Sequence, residues 1–142
     1  MKDHSLRWAL IATIVALLAC NQVKKQADCS ALISKANTAL QEIQAQSNSS
    51  TGKPEELRKL ADTCERHATA LEATEISDAE LKGHRDNYVI MWRDIAKHSR
   101  AIADAGDKQD LPAMEAAQKQ LEAVTAREDA LVDAMNTSCS RQ

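Results

Sequence analysis

Four cysteines (Cys20, Cys29, Cys64, Cys139) and four histidines (His4, His67, His84, His98) are the side chains in this 142-residue chain best able to do chemistry. No two cysteines form a C-x-x-C pair, which excludes a thioredoxin-like couple, a paired zinc knuckle and covalent haem attachment. Three scattered glycines cannot build a phosphate-cradling loop, and no G-x-S-x-G or kinase signature occurs. Glu80/His84 and Asp94/His98 are i, i+4 pairs that would share a helix face and could hold a metal between facing helices. The di-iron pattern of Glu-x-x-His on two helices is missing, and the plainer reading is a carboxylate–imidazole contact contributing a few tenths of a kcal/mol. A haem would need Met91 or Met135 with a histidine as axial ligands, yet a methionine on a helical stripe usually fills a core. Glu128 falls on the seven-residue repeat Met114, Leu121, Glu128, Met135, so its carboxylate can turn inward. Buried, it would need a partner, and His84, Arg85 and Tyr88 are within reach by helix counting; at the stripe's edge it would sit in water. Such a pair reads as structural, and nothing in the chain reads as a nucleophile with its base, so no enzymatic activity is expected.

The first twenty residues carry an address. Lys2 and Arg7 lie in a polar head, and Trp8 to Leu18 runs without a charge. That run falls short of the ~20 residues needed to span a bilayer, but it fits the apolar region of a secretory signal. It ends Leu17-Leu18-Ala19-Cys20, which resembles the lipobox of bacterial lipoproteins. The resemblance implies cleavage before Cys20 and acylation of Cys20, palmitate included; the alternatives are an ordinary signal peptide or an uncleaved N-terminal helix. A single acyl chain anchors weakly at ~0.8 kcal/mol per buried methylene, whereas several chains anchor durably. Asn21, not aspartate, follows the cysteine, which favours the outer membrane over retention at the inner one. The chain thus divides into a signal peptide at 1–19, a lipidated tether at 20–26 and a body at 27–142. Loss of residues 1–19 leaves 123 residues with 16 Lys/Arg and 20 Asp/Glu, a mildly acidic protein expected to stand off an anionic surface.

The elements that must position these groups are helical. Glycine and proline are scarce, phenylalanine is absent, and strong helix formers dominate, which argues against β-sandwich, collagen-like and Pro-rich classes. The near-neutral balance, −3 overall, lacks the basic field of a nucleic-acid binder. Cys29, Leu32, Ile33, Ala36, Ala39, Leu40 and Ile43 mark one face of a first helix over 22–46. Residues 47–53 are the clearest loop, and Pro54 suits the first position of a second helix, which ends near Ala73. Ser77-Asp78-Ala79-Glu80 matches a capping box for a third helix, with Ser77 as cap and Gly106 as the stop. Asp110 can cap a fourth, with its stripe at Met114, Ala117, Leu121, Val124, Leu131, Val132 and Met135. The expected fold is an all-α, antiparallel up-down four-helix bundle.

Export favours a disulfide among Cys29, Cys64 and Cys139. At 1.5 Å rise per residue, Cys29 lies roughly 27 Å below the 47–53 loop and Cys64 roughly 16 Å. Cys139 returns to the level of Thr74, near Cys29 on the neighbouring helix. Cys29–Cys139 is therefore the expected pair and Cys29–Cys64 its rival, with Cys64 a buried thiol in the first case. Tyr88-Val89-Ile90-Met91-Trp92 is apolar round the full circumference of a helix. Part of Val89, Ile90 and Trp92 should face water, as a contact surface for a partner or second copy, or as scattered exposed residues.

Residues 28–37, opening the first helix, and 126–136 with Cys139, closing the last, resemble small helical lipoproteins of myxobacterial type when taken with the lipobox. That resemblance implies fold, location, lipidated Cys20 and paired Cys29 and Cys139, and it implies no activity. The functional expectation is a lipid-anchored helical module that binds or scaffolds another envelope protein. Alternatives are a periplasmic metal- or haem-binding bundle using His84, His98, Glu80 or Asp94, and a pilotin-like carrier of an outer-membrane partner.

Overall fold

The computed structural model describes the backbone of residues 3–141 and the side chains of residues 22–141. Its helices are α1 (Asp3–Ser49), α2 (Pro54–Glu72), α3 (Ala79–Asp107), α4 (Leu111–Thr125) and α5 (Glu128–Ser140). They form the all-α up-down bundle that the periodicity requires, with α4 and α5 as the two halves of the fourth layer. α3 is the hub. It packs along α2 on one side and along α4 and α5 on the other, while α1 lies mainly against α2. The helix is continuous through 22–26, part of the stretch expected from the sequence to be a tether.

The core is small-residue rich. Cys29, Leu32, Ala36 and Ala39 of α1 meet Ala61, Cys64, Ala68 and Leu71 of α2 and Leu81, Tyr88, Met91, Trp92 and Ile95 of α3. Val124 and Met135 complete it from the fourth layer. Alanines at the contacts let helices approach closely, at the cost of less apolar area per residue. Ion pairs fix which faces meet: Arg58 reaches Asp104 and Asp107, Arg100 reaches Asp62, and Arg93 reaches Glu72 across α2 and α3. Solvent screens such surface pairs, so they select register more than they stabilise.

The loop after α1 is tied by one carboxylate. Glu56 accepts from the backbone N–H of Thr51 at 2.7 Å and of Lys53 at 3.3 Å, and from the hydroxyls of Ser50 and Thr51. Gly52 takes φ +79°, which only glycine adopts without strain. Two helix ends differ from the sequence expectation. Asp78, not Ser77, caps α3 by accepting from Leu81 N at 3.0 Å. Gly106 lies within α3, and the left-handed residue that ends it is Gln109, φ 55°.

Ser77 is taken by a distant partner. The Asp28 carboxylate of α1 accepts from Ser77 N at 2.8 Å, Ser77 Oγ at 2.7 Å and Asp78 N at 3.0 Å. It clamps the α2–α3 turn to the first helix. Burial alone would raise the Asp28 pKa, but the hydrogen bonds from Ser77 and Asp78, with Lys24 nearby, outweigh it and hold the carboxyl below its usual value. A depressed carboxylate adds stability that is present above its ordinary pKa of ~3.9 and lost as pH falls through the folded value. Asp28→Ala should therefore destabilise the fold by about 1–2 kcal/mol at neutral pH, with the deficit shrinking under acid. Chemical denaturation of both proteins at pH 7 and pH 3 measures this.

Candidate functional site

Two regions lie at opposite ends of α5: the disulfide, expected from the sequence, and a break in what the sequence reads as one continuous fourth helix. At the C-terminal end of α5, Cys29 and Cys139 are bonded, with Cα atoms 5.8 Å apart and 110 residues between them in sequence. This is the pairing given by helix heights, and Cys64 is the thiol left over, fully buried in α2. Burial pushes the Cys64 thiol up to about 12, with the Glu65 charge adding to it. Thiolate is the reactive form, so this thiol is inert in the folded protein.

The other region is the break between α4 and α5. Ala126 N bonds Glu122 O at 3.0 Å, Arg127 N bonds Val124 O at 3.1 Å in a tighter turn, and the helix resumes with Leu131 N to Arg127 O at 3.1 Å. No glycine or proline causes the break. The new helix starts with Glu128 and Asp129, and acidic side chains suit the positive end of a helix. Between the break and α3 lies a cavity of about 480 Å³ lined by Asn87, Ile90, Ala126, Arg127, Ala130 and Leu131.

Ile90 is the exposed member of the apolar stretch, 53% accessible. The other two candidate contact residues are corrected by the structure: Val89 is 3% and Trp92 2% accessible, both in the core. The cause is the position of α3. A helix packed by α2, α4, α5 and α1 buries far more of its circumference than a peripheral one, so Val89 and Trp92 find neighbours that a simple bundle would deny them.

Beside the groove, Glu128 is not fully exposed, and its Oε1 has no hydrogen-bond partner among the described residues. Arg85 is committed elsewhere, and neither His84 nor Tyr88 bonds to Glu128. Arg85 donates to Thr74 O at 2.8 Å and to Asp86, and the neighbouring Arg127 goes to Asp94 at 3.0 Å. Tyr88 Oη, Trp92 Nε1 and His84 Nε2 on α3 and Ser138 Oγ on α5 are likewise buried without a partner among the described residues. Desolvation raises the Glu128 pKa, with Asp129 contributing. Burial also pushes the Tyr88 hydroxyl up to about 12, with the Glu128 charge contributing.

The helix-three carboxylates do not pair with their histidines. Glu80 is held by Arg141 at 3.1 Å and Lys25 at 4.0 Å, and Asp94 by Arg127, so α5 captures both. The carboxylate–imidazole contacts expected within α3 are thus replaced by cross-helix ion pairs that set the register of α5. The histidine that does meet a carboxylate is His67, 2.8 Å from Glu42 on α1. Among the described residues no group of three or more His, Cys, Asp or Glu side chains converges as a metal site. Met91 and Met135, the haem-ligand candidates, are core residues at 1% and 3% accessibility. Cys20, the lipidation candidate, lies outside the residues whose side chains are described. No helix among the described residues is long and apolar enough to cross a membrane.

No family model matches the chain, and no curated protein or solved structure does either.

Two outcomes follow from this geometry. Cys139→Ser, or reduction, should remove roughly 4–5 kcal/mol of stability in the chain-entropy account of a loop this long. Thermal melts with and without reductant would show it as a large drop in Tm. For Glu128 the sign is opposite to that of Asp28. A carboxyl raised on folding contributes stability present below its ordinary pKa of ~4.3 and lost as pH rises through the folded value. Glu128→Gln should therefore raise Tm by a few degrees at pH 7 and leave it unchanged near pH 3, read by melting at both pH values.

Proposed function

We propose that this chain is an exported bacterial envelope lipoprotein, anchored by acyl chains on Cys20, whose helical body binds or scaffolds another envelope protein without catalysing a reaction. The observation that carries the reading is the charge-free run Trp8–Leu18 stopping at Ala19-Cys20 in a chain that also bonds Cys29 to Cys139. Disulfides persist outside the reducing cytosol, so the two features point to the same compartment. Asn21 after the acylated cysteine favours the outer membrane. The body offers the partner the groove at the α4–α5 break, where Ile90 supplies exposed apolar area and the Arg127–Asp94 pair a polar rim. Apolar area ringed by polar groups is the usual anatomy of a contact site. A pilotin-like carrier is one form of this function.

Metabolic labelling with palmitate tests the anchor. The wild-type protein should carry label and partition with membranes, and Cys20→Ser should lose both. Label persisting on the Cys20→Ser protein would refute the assignment. Ile90→Asp tests the groove: fold stability should change by no more than ~0.5 kcal/mol, as for an exposed position. Crosslinking to the partner in intact envelopes should fall sharply.

A further inference from the structure

At the foot of the bundle, α1, the α2–α3 turn and the start of α3 line an open, shallow cleft of about 540 Å³ that includes Lys24, Asp28, Glu75, Ile76, Lys82 and Arg85. Its charges divide into used and unused. Arg85 is committed to Thr74 O and Asp86, and the Asp28 carboxylate to the turn. Among the described residues, the side chains of Lys82 and Glu75 have no hydrogen bond or ion pair. With Arg85 offset by Asp86, two lysines face two carboxylates, Asp28 and Glu75. A balanced cleft gives no net attraction to a plain anion. It matches a ligand that carries a phosphate and an ammonium together.

Position selects the source of such a ligand. Lys24 follows Cys20 by four residues, a span of at most ~14 Å when fully extended and ~6 Å as helix. The polar layer on each side of a bilayer is roughly 5–7 Å thick. Acyl chains on Cys20 therefore hold the cleft at or beside the headgroups, where an ionic ligand is present at high local concentration. The geometry points to this cleft as a docking site for a zwitterionic phospholipid headgroup, its phosphate on Lys24 and Lys82 and its ammonium on Glu75, an inference that rests on acylation of Cys20. The foot then faces the membrane.

The test uses the full acylated chain in vesicles, with a nitroxide attached through Ala79→Cys, an exposed position at the start of α3 beside the cleft. Cys64 is buried and does not take the label. In vesicles containing phosphatidylethanolamine, the nitroxide should be several-fold less accessible to a water-soluble relaxant than in vesicles of phosphatidylglycerol. Glu75→Lys, which makes the cleft cationic, should reverse that preference. An acylated protein whose label is fully accessible in both vesicles, or whose preference survives Glu75→Lys, overturns the headgroup site alone. An intact mass without acyl chains overturns the anchor reading and takes this site with it.

Discussion

The bond between Cys29 and Cys139 joins the first helix to the last, and the arrangement of the foot depends on it. α1 leans on α2 and touches α3 and α5 only lightly. Its buried face is Cys29, Leu32, Ala36 and Ala39, of which only Leu32 is a large, fully enclosed apolar side chain. At ~25 cal/mol per Å² such a face holds a helix weakly. Covalent closure and the Asp28 clamp on the α2–α3 turn supply what apolar burial does not. Both act at the same end, so the foot is the most tightly tied part of the molecule.

The opposite balance holds along the α3–α5 seam. α3 gains a well-filled core from Tyr88, Met91, Trp92 and Ile95, but Tyr88 and Trp92 bring polar atoms into it without partners. Unpaired buried polar groups each cost about 1–3 kcal/mol. Glu128 adds a desolvated carboxyl beside the point where the fourth layer breaks. The seam thus carries unsatisfied polar groups close to the groove at the α4–α5 break.

Helix positions, the bundle and the disulfide were legible because they follow from one-dimensional quantities: apolar period, rise per residue and cap chemistry. Counting heights was enough to bring Cys29 to Cys139. What escaped was decided by groups far apart in sequence. Ser77 looks like a cap, but Asp28, 49 residues away, claims it. Glu80 and Asp94 look like histidine partners, but Arg141 and Arg127 arrive from α5. Val89 and Trp92 look partly exposed until α3 is known to be the hub. The break at 126–127 left one faint signal, Glu128-Asp129 as a fresh acidic helix start in a run with no glycine or proline.

The proposed location outside the reducing cytosol leans on the oxidised bond at the foot, because disulfides persist where thiols are not kept reduced. The most direct test is thiol trapping in intact cells. Free thiols are blocked at once on lysis under denaturing conditions, the protein is then reduced, and newly exposed cysteines are labelled and located by peptide mass. Cys29 and Cys139 should take the second label almost completely, with Cys64 blocked by the first reagent. Cys29 and Cys139 blocked in the first step would show a reduced protein in a reducing compartment, and would contradict both the staple and the location it supports.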